Sequence, residues 1–164
     1  MQYMSLDPAQ REELLTSLAG MSEYLRSQFS NLSPEEVRTP APDGAFSPVE
    51  QVWHLADLER EGFGVRIQRL LSEPDPRLPD FDGTAIAIER DYRSLSLERG
   101  LIVFAEARQR NISALRGIDA ESWFRSGTQE GVGKVTLCDM RSFMFQHDSA
   151  HKTEIEAWRR GANR

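Results

Sequence analysis

The sequence predicts an all-α protein, a four-helix bundle, on three observations. Apolar residues recur at three- and four-residue steps in four long segments. Side-chain acceptors followed by proline or by an acidic third residue mark where helices open. No segment alternates apolar and polar residues convincingly enough to read as a strand.

Asp7-Pro8-Ala9-Gln10 opens the first helix, which runs to about Ser30 with Leu14, Leu18, Met21, Leu25 and Phe29 along one face. Ser33-Pro34-Glu35-Glu36 has the form of a capping box, but Pro40 and Pro42 confine it to a short connector. Ser47-Pro48-Val49-Glu50 combines N-cap, first-turn proline and reciprocal carboxylate, and opens a second helix reaching about Leu71. From Glu73 to Gly83, Pro74, Pro76 and Pro79 predict a loop across the bundle. Helical sequence resumes near Thr84, bends around Ser94 to Ser96, and continues through Leu97, Leu101, Phe104, Ala105, Ile112 and Leu115 to Gly117 as the third helix. Trp123 to Lys134 carries Gly127, Gly131 and Gly133 without helical period, which predicts an irregular or weakly extended connection. Thr136-Leu137-Cys138-Asp139 repeats the capping box and opens a fourth helix to about Arg160, ended by Gly161.

A chain of 164 residues with 39% hydrophobic and 28% charged residues is expected to fold as one globular domain spanning 1–164. The net charge of -6 and the lack of any Lys or Arg run argue against a nucleic-acid partner. No uninterrupted apolar span has membrane length, and Met1 to Pro8 has no basic stretch followed by an apolar run, so the expected location is the cytoplasm. With Cys138 alone there is no intramolecular disulfide. At 100° per residue it falls opposite His147 on the same helix and reads as a small filler.

The chemistry concentrates on the fourth helix, where His147 and His151 are four residues apart and project from one face. Met140, Phe143, Met144, Ile155 and Trp158 share that face, which turns both imidazoles toward the interior. Such a pair can chelate one ion; alternatively, each is a core histidine satisfied by a hydrogen bond. His54 is the only other histidine and the natural third ligand. It lies opposite the apolar stripe Val49, Val52, Ala56, Phe63, Ile67 and Leu70, among Glu50, Asp57, Leu58, Glu61 and Val65. The second helix is therefore expected to line a polar cleft with the fourth on one side and to make an apolar contact, such as a dimer interface, on the other. His54 as a surface histidine is the competing reading.

Three stretches carry a resemblance: Phe46-Ser47-Pro48-Val49-Glu50-Gln51-Val52-Trp53-His54-Leu55-Ala56-Asp57, the Gly133-Lys134-Val135-Thr136-Leu137 entry to the fourth helix, and His147-Asp148-Ser149-Ala150-His151. In their order and separation the chain resembles the DinB/YfiT-like superfamily of metal-binding four-helix bundles over nearly its whole length. The resemblance implies up-down-down-up topology and a three-histidine site holding nickel or zinc, mapped here onto His54, His147 and His151. It also implies a homodimer. Glu154 is a departure, because similar proteins often have glutamine one turn beyond the second histidine of that helix.

Three neutral imidazoles leave a divalent ion its charge and an open position, the arrangement of a catalytic rather than a closed structural site. The resemblance then implies a small-molecule substrate, with the chain acting as a hydrolase or as a transferase that activates a low-molecular-weight thiol such as bacillithiol, mycothiol or glutathione. Glu50, Asp57 and Glu154 lie within about one turn of a ligand, and Glu154 is the first candidate for a catalytic base. A solvated or salt-bridged carboxylate is its alternative. A non-catalytic, stress-related bundle that binds a metal or another ligand is the competing class of function. A DNA-damage role suggested by the family name is opposed by the acidic charge.

Overall fold

Four reciprocal hydrogen-bonding patterns open helices where the sequence places them. Asp7 accepts from the Gln10 amide at 2.8 Å while Gln10 Oε1 accepts from the Asp7 amide at 3.0 Å. Ser33 and Glu36 do the same. The Glu50 carboxylate accepts from both the Ser47 amide and its hydroxyl, and Asp139 pairs likewise with Thr136. Each satisfies amides that a helix start leaves without an intrahelical acceptor.

The computed structural model describes residues 6–162, so the ends of the expected 1–164 domain lie outside the described residues. Its elements in order are α1 (Pro8–Ala19), α2 (Met21–Phe29), α3 (Pro34–Val37), α4 (Pro48–Asp57), a π-helical turn (Leu58–Phe63), α5 (Gly64–Ser72), β1 (Arg77–Leu78), α6 (Gly83–Glu89), a 3-10 turn (Tyr92–Ser94), α7 (Leu97–Arg116), a second 3-10 turn (Ser122–Phe124), β2 (Ser126–Gln129), β3 (Gly133–Thr136) and α8 (Leu137–Ala162). Helix I of the bundle is α1 with α2, helix II is α4 through α5, helix III is α7 and helix IV is α8.

Pairings between the helices fix their directions. Glu12 bridges Arg116 and Arg26 bridges Glu98, so helices I and III run antiparallel. The Trp53 indole donates to the Ser96 carbonyl and Glu59 pairs with Arg108, so II and III run parallel. Gln51 meets Glu154 and Phe63 meets His147, which makes II and IV antiparallel. Tyr24 donates to the Lys152 carbonyl and Arg159 to that of Gln28, so I and IV are parallel. The result is a four-helix bundle of up-down-down-up topology.

Parallel neighbours II and III require a connection that travels the length of the bundle, and residues 73–96 supply it. Here the structure departs from the expected loop and bent third helix. The proline-rich segment forms β1, which pairs parallel with β2 through Arg77↔Thr128 and Leu78↔Gln129. The glycine-rich connection takes the extended of its two expected forms and is a hairpin, β2 pairing antiparallel with β3 from Ser126↔Thr136 to Gln129↔Gly133. Gly131 and Gly133 supply the positive φ values, 76° and 104°, of its turn. The helical sequence near Thr84 is a separate helix, α6, cut from α7 where Asp91 adopts φ 47° and Ser96 caps the new start.

The core has two apolar halves. Leu15, Leu18, Phe63, Ile67, Ile112 and Met144 belong to one; Met21, Leu25, Ala56, Phe104, Ile155 and Trp158 belong to the other. Each of the four bundle helices contributes to both, and buried Glu59, Arg108 and Asp148 lie between them. The stripe Val49, Val52, Ala56, Phe63, Ile67 and Leu70 is buried inside the chain. It is therefore not an open dimer interface, because packing helix III parallel to helix II covers it.

Candidate metal centre

Helix II and helix IV cross with their histidines facing. The i, i+4 spacing stacks His147 and His151 on one turn of α8, their rings 4.3 Å apart, and antiparallel packing brings His54 opposite. The His147 and His151 Nε2 atoms are 3.0 Å apart, and those of His54 and His147 are 3.4 Å apart. One ring nitrogen from each of the three histidines falls within 4.8 Å of the others. Two nitrogens bound tetrahedrally at about 2.0–2.1 Å from one ion are separated by about 3.3 Å. The two Nε2 pairs at 3.0 and 3.4 Å thus have about the spacing that imidazoles bound to one divalent ion require.

Protonation agrees. Burial, then His151, pushes the His54 imidazole down to about 4; burial, then His151 and His54, pushes His147 down to about 3. Both rings are neutral near pH 7 and have lone pairs to offer. The His151 Nδ1–H donates to Gln51 Oε1 at 2.6 Å, which turns its Nε2 toward the other rings. His54 Nδ1 is buried without a hydrogen-bond partner. Gly83, the first residue of α6, backs that ring so closely that a Cβ would stand 2.7 Å from Nδ1. Phe46 and Phe81 flank His54 at 5.4 and 6.5 Å between ring centres, and Phe63 stands edge-on to His147 at 5.9 Å.

The three carboxylates singled out in the sequence lie in different surroundings. Glu154 Oε2 is 3.2 Å from His151 Nδ1 and accepts from Gln51 Nε2 at 2.7 Å. The hydrogen bond with His151 holds its carboxyl down at about 2. It stands behind the His151 ring, on the side away from the nitrogen that faces the other histidines. Asp57, 1% exposed, accepts from Tyr92, Arg90 and Arg60 and ties the connection to helix II. Glu50 caps α4 and bridges Arg93. Cys138 is buried in the apolar core at the start of α8, and burial pushes its thiol up.

From the sequence alone, Gln51, the three phenylalanines and Gly83 had no place in the site. Gln51 had a signal, since it precedes His54 by three residues and shares its helix face. Phe81 and Gly83 reach the site only through the crossover, whereas Phe46 and Phe63 belong to the entry and the π turn of helix II.

A sequence profile of the DinB superfamily matches residues 17–155, and the chain belongs to that superfamily. It is 25% identical over 150 residues to a protein of Geobacillus thermodenitrificans named "Putative metal-dependent hydrolase", covering 91% of this chain and 84% of that one. A similarly named protein of Geobacillus kaustophilus is 23% identical over the same shares. Among solved structures, YfiT from Bacillus subtilis, described as a "probable metal-dependent hydrolase with an unusual four-helix bundle topology", superposes with a TM-score of 0.86 at 22% identity. The match covers 95% of this chain and 90% of YfiT.

Proposed function

We propose that this DinB-superfamily chain is a metal-dependent hydrolase of a small molecule, in which His54, His147 and His151 hold one divalent ion, zinc or nickel. The observation that carries the reading is the convergence of three ring nitrogens from two helices, within 4.8 Å of one another. The names of the relatives point to the same class. When bound by three neutral imidazoles, the ion supplies a Lewis acid with a free position, able to acidify water to a pKa of about 7 and to polarise a carbonyl.

The chain's own residues prepare that position. Gln51 and Glu154 hold the His151 Nδ1 proton, which fixes the tautomer and points Nε2 inward. Phe46, Phe63 and Phe81 place apolar rings beside the histidines, and apolar walls strengthen electrostatic interactions by limiting water. The same open donor set suits a low-molecular-weight thiolate, so S-transfer is the second reaction class of this reading. The reading extends to a single-domain, cytoplasmic homodimer, resting on the acidic composition and on the likeness to the superfamily.

The test is turnover by zinc- and nickel-loaded protein against esters, amides and a thiol offered with an electrophile. Hydrolysis that falls about 100-fold or more on chelation and in His147→Ala supports the proposal. Turnover only in the thiol arm moves the chain to the transferase class. Tight metal binding without turnover in any arm makes it a non-catalytic binding protein.

A further inference from the structure

We propose that Glu59, Arg108 and Asp148 form a positioning clamp that sets helices II and IV at the separation the histidine centre needs. This rests on the reading that the centre holds a metal. Arg108 comes from helix III and is 2% exposed. Its Nε and Nη2 donate to the two Glu59 oxygens at 2.9 and 3.0 Å; its Nη1 and Nη2 donate to the two Asp148 oxygens at 2.7 and 2.8 Å. The remaining Nη1 proton goes to the Leu18 carbonyl at 2.9 Å. All five guanidinium protons are used, and the acceptors belong to helices I, II and IV.

A planar fork gripped by two bidentate carboxylates fixes both distance and rotation, which a lysine or an apolar contact would not. Asp148 is the next residue after His147, so the rotation that the clamp gives helix IV is the rotation that aims His147. On helix II the clamp falls in the π-helical turn, whose last residue, Phe63, packs edge-on to His147. Asn111 Nδ2 locks that turn by donating to both the carbonyl and the carboxylate of Glu59, each at 2.9 Å. Gly64 makes room for it, since a Cβ there would lie 2.9 Å from the Glu59 carbonyl and 3.1 Å from Asn111 Oδ1. A π turn inside a helix is uncommon and occurs often at functional sites.

Burying one guanidinium with two carboxylates is an inefficient way to gain stability, because desolvation offsets most of the Coulombic attraction. What the arrangement supplies instead is a single relative setting of helices II and IV at the level where the histidines meet.

The test compares wild type with Asp148→Asn, Glu59→Gln and Arg108→Lys, using Leu25→Ala in the apolar core as a variant of comparable thermal destabilisation. Zinc affinity is read by competition with a chromophoric chelator, and site geometry by the visible spectrum of the cobalt-loaded protein. The clamp predicts about 10- to 100-fold weaker zinc binding and an altered cobalt spectrum in whichever clamp variants fold. Leu25→Ala keeps wild-type affinity and spectrum. Clamp variants that lose no more affinity than Leu25→Ala, with an unchanged spectrum, overturn the proposal and leave a stability element. Failure of the wild type to bind zinc or cobalt overturns the metal reading itself, and that outcome is distinct from a failure of the clamp.

Discussion

Glu154 and Gln51 share the His151 Nδ1 proton, and they do so unequally. Gln51 Oε1 is the nearer acceptor, 2.6 Å against 3.2 Å for Glu154. Glu154→Gln retains an amide oxygen at that position, so metal affinity is expected to change by less than about tenfold, whereas Gln51→Leu removes the main orienting group and costs about 10- to 100-fold. Metal titration and turnover on both variants check this. If Glu154→Gln abolishes turnover with affinity intact, Glu154 is a base after all and the positioning role is wrong. The histidines were legible in the sequence because two imidazoles one turn apart on an apolar helix face have the spacing that chelation demands. The placement of Glu154 was not, since helical periodicity puts it beside His151 without saying which ring nitrogen it approaches.

At the scale of elements, the crossover between helices II and III is tied down by Asp57, and one of its partners gives a pH signature. Burial and then the Asp57 hydrogen bond raise the Tyr92 hydroxyl above its ordinary value of 10.0. The folded state therefore holds this proton more tightly than the unfolded chain. The stability it contributes is complete below about pH 10 and is lost as pH rises beyond it. Urea unfolding between pH 9 and 11 is expected to weaken more steeply in wild type than in Tyr92→Phe; parallel slopes would contradict the assignment. Capping residues made the starts of α1, α3, α4 and α8 readable, because each pattern is local. The β2–β3 segment was readable only as irregular or weakly extended: four-residue strands are too short for alternation to show, and the pairing of β2 with β1 joins segments about fifty residues apart. The π turn left only Gly62 and Gly64 as traces in the sequence, since its lock, Asn111, sits on another helix.

Across the whole molecule, two apolar halves enclose a level that holds Glu59, Arg108 and Asp148, with the histidines beside it. The helix count, and the fact that helix II turns two different faces to its neighbours, could be read from periodicity. The partner of the apolar stripe could not, because helix III lies parallel to helix II only by virtue of the long crossover. Among the described residues, no helix is long and apolar enough to cross a membrane. The central claim is that the three histidines hold one ion, and elemental analysis of tag-free protein at known concentration tests it most directly. The account predicts about one zinc, nickel or similar ion per chain in wild type and loss of that ion in both His54→Ala and His147→Ala. No metal in wild type after reconstitution, or full occupancy retained in both variants, would contradict it.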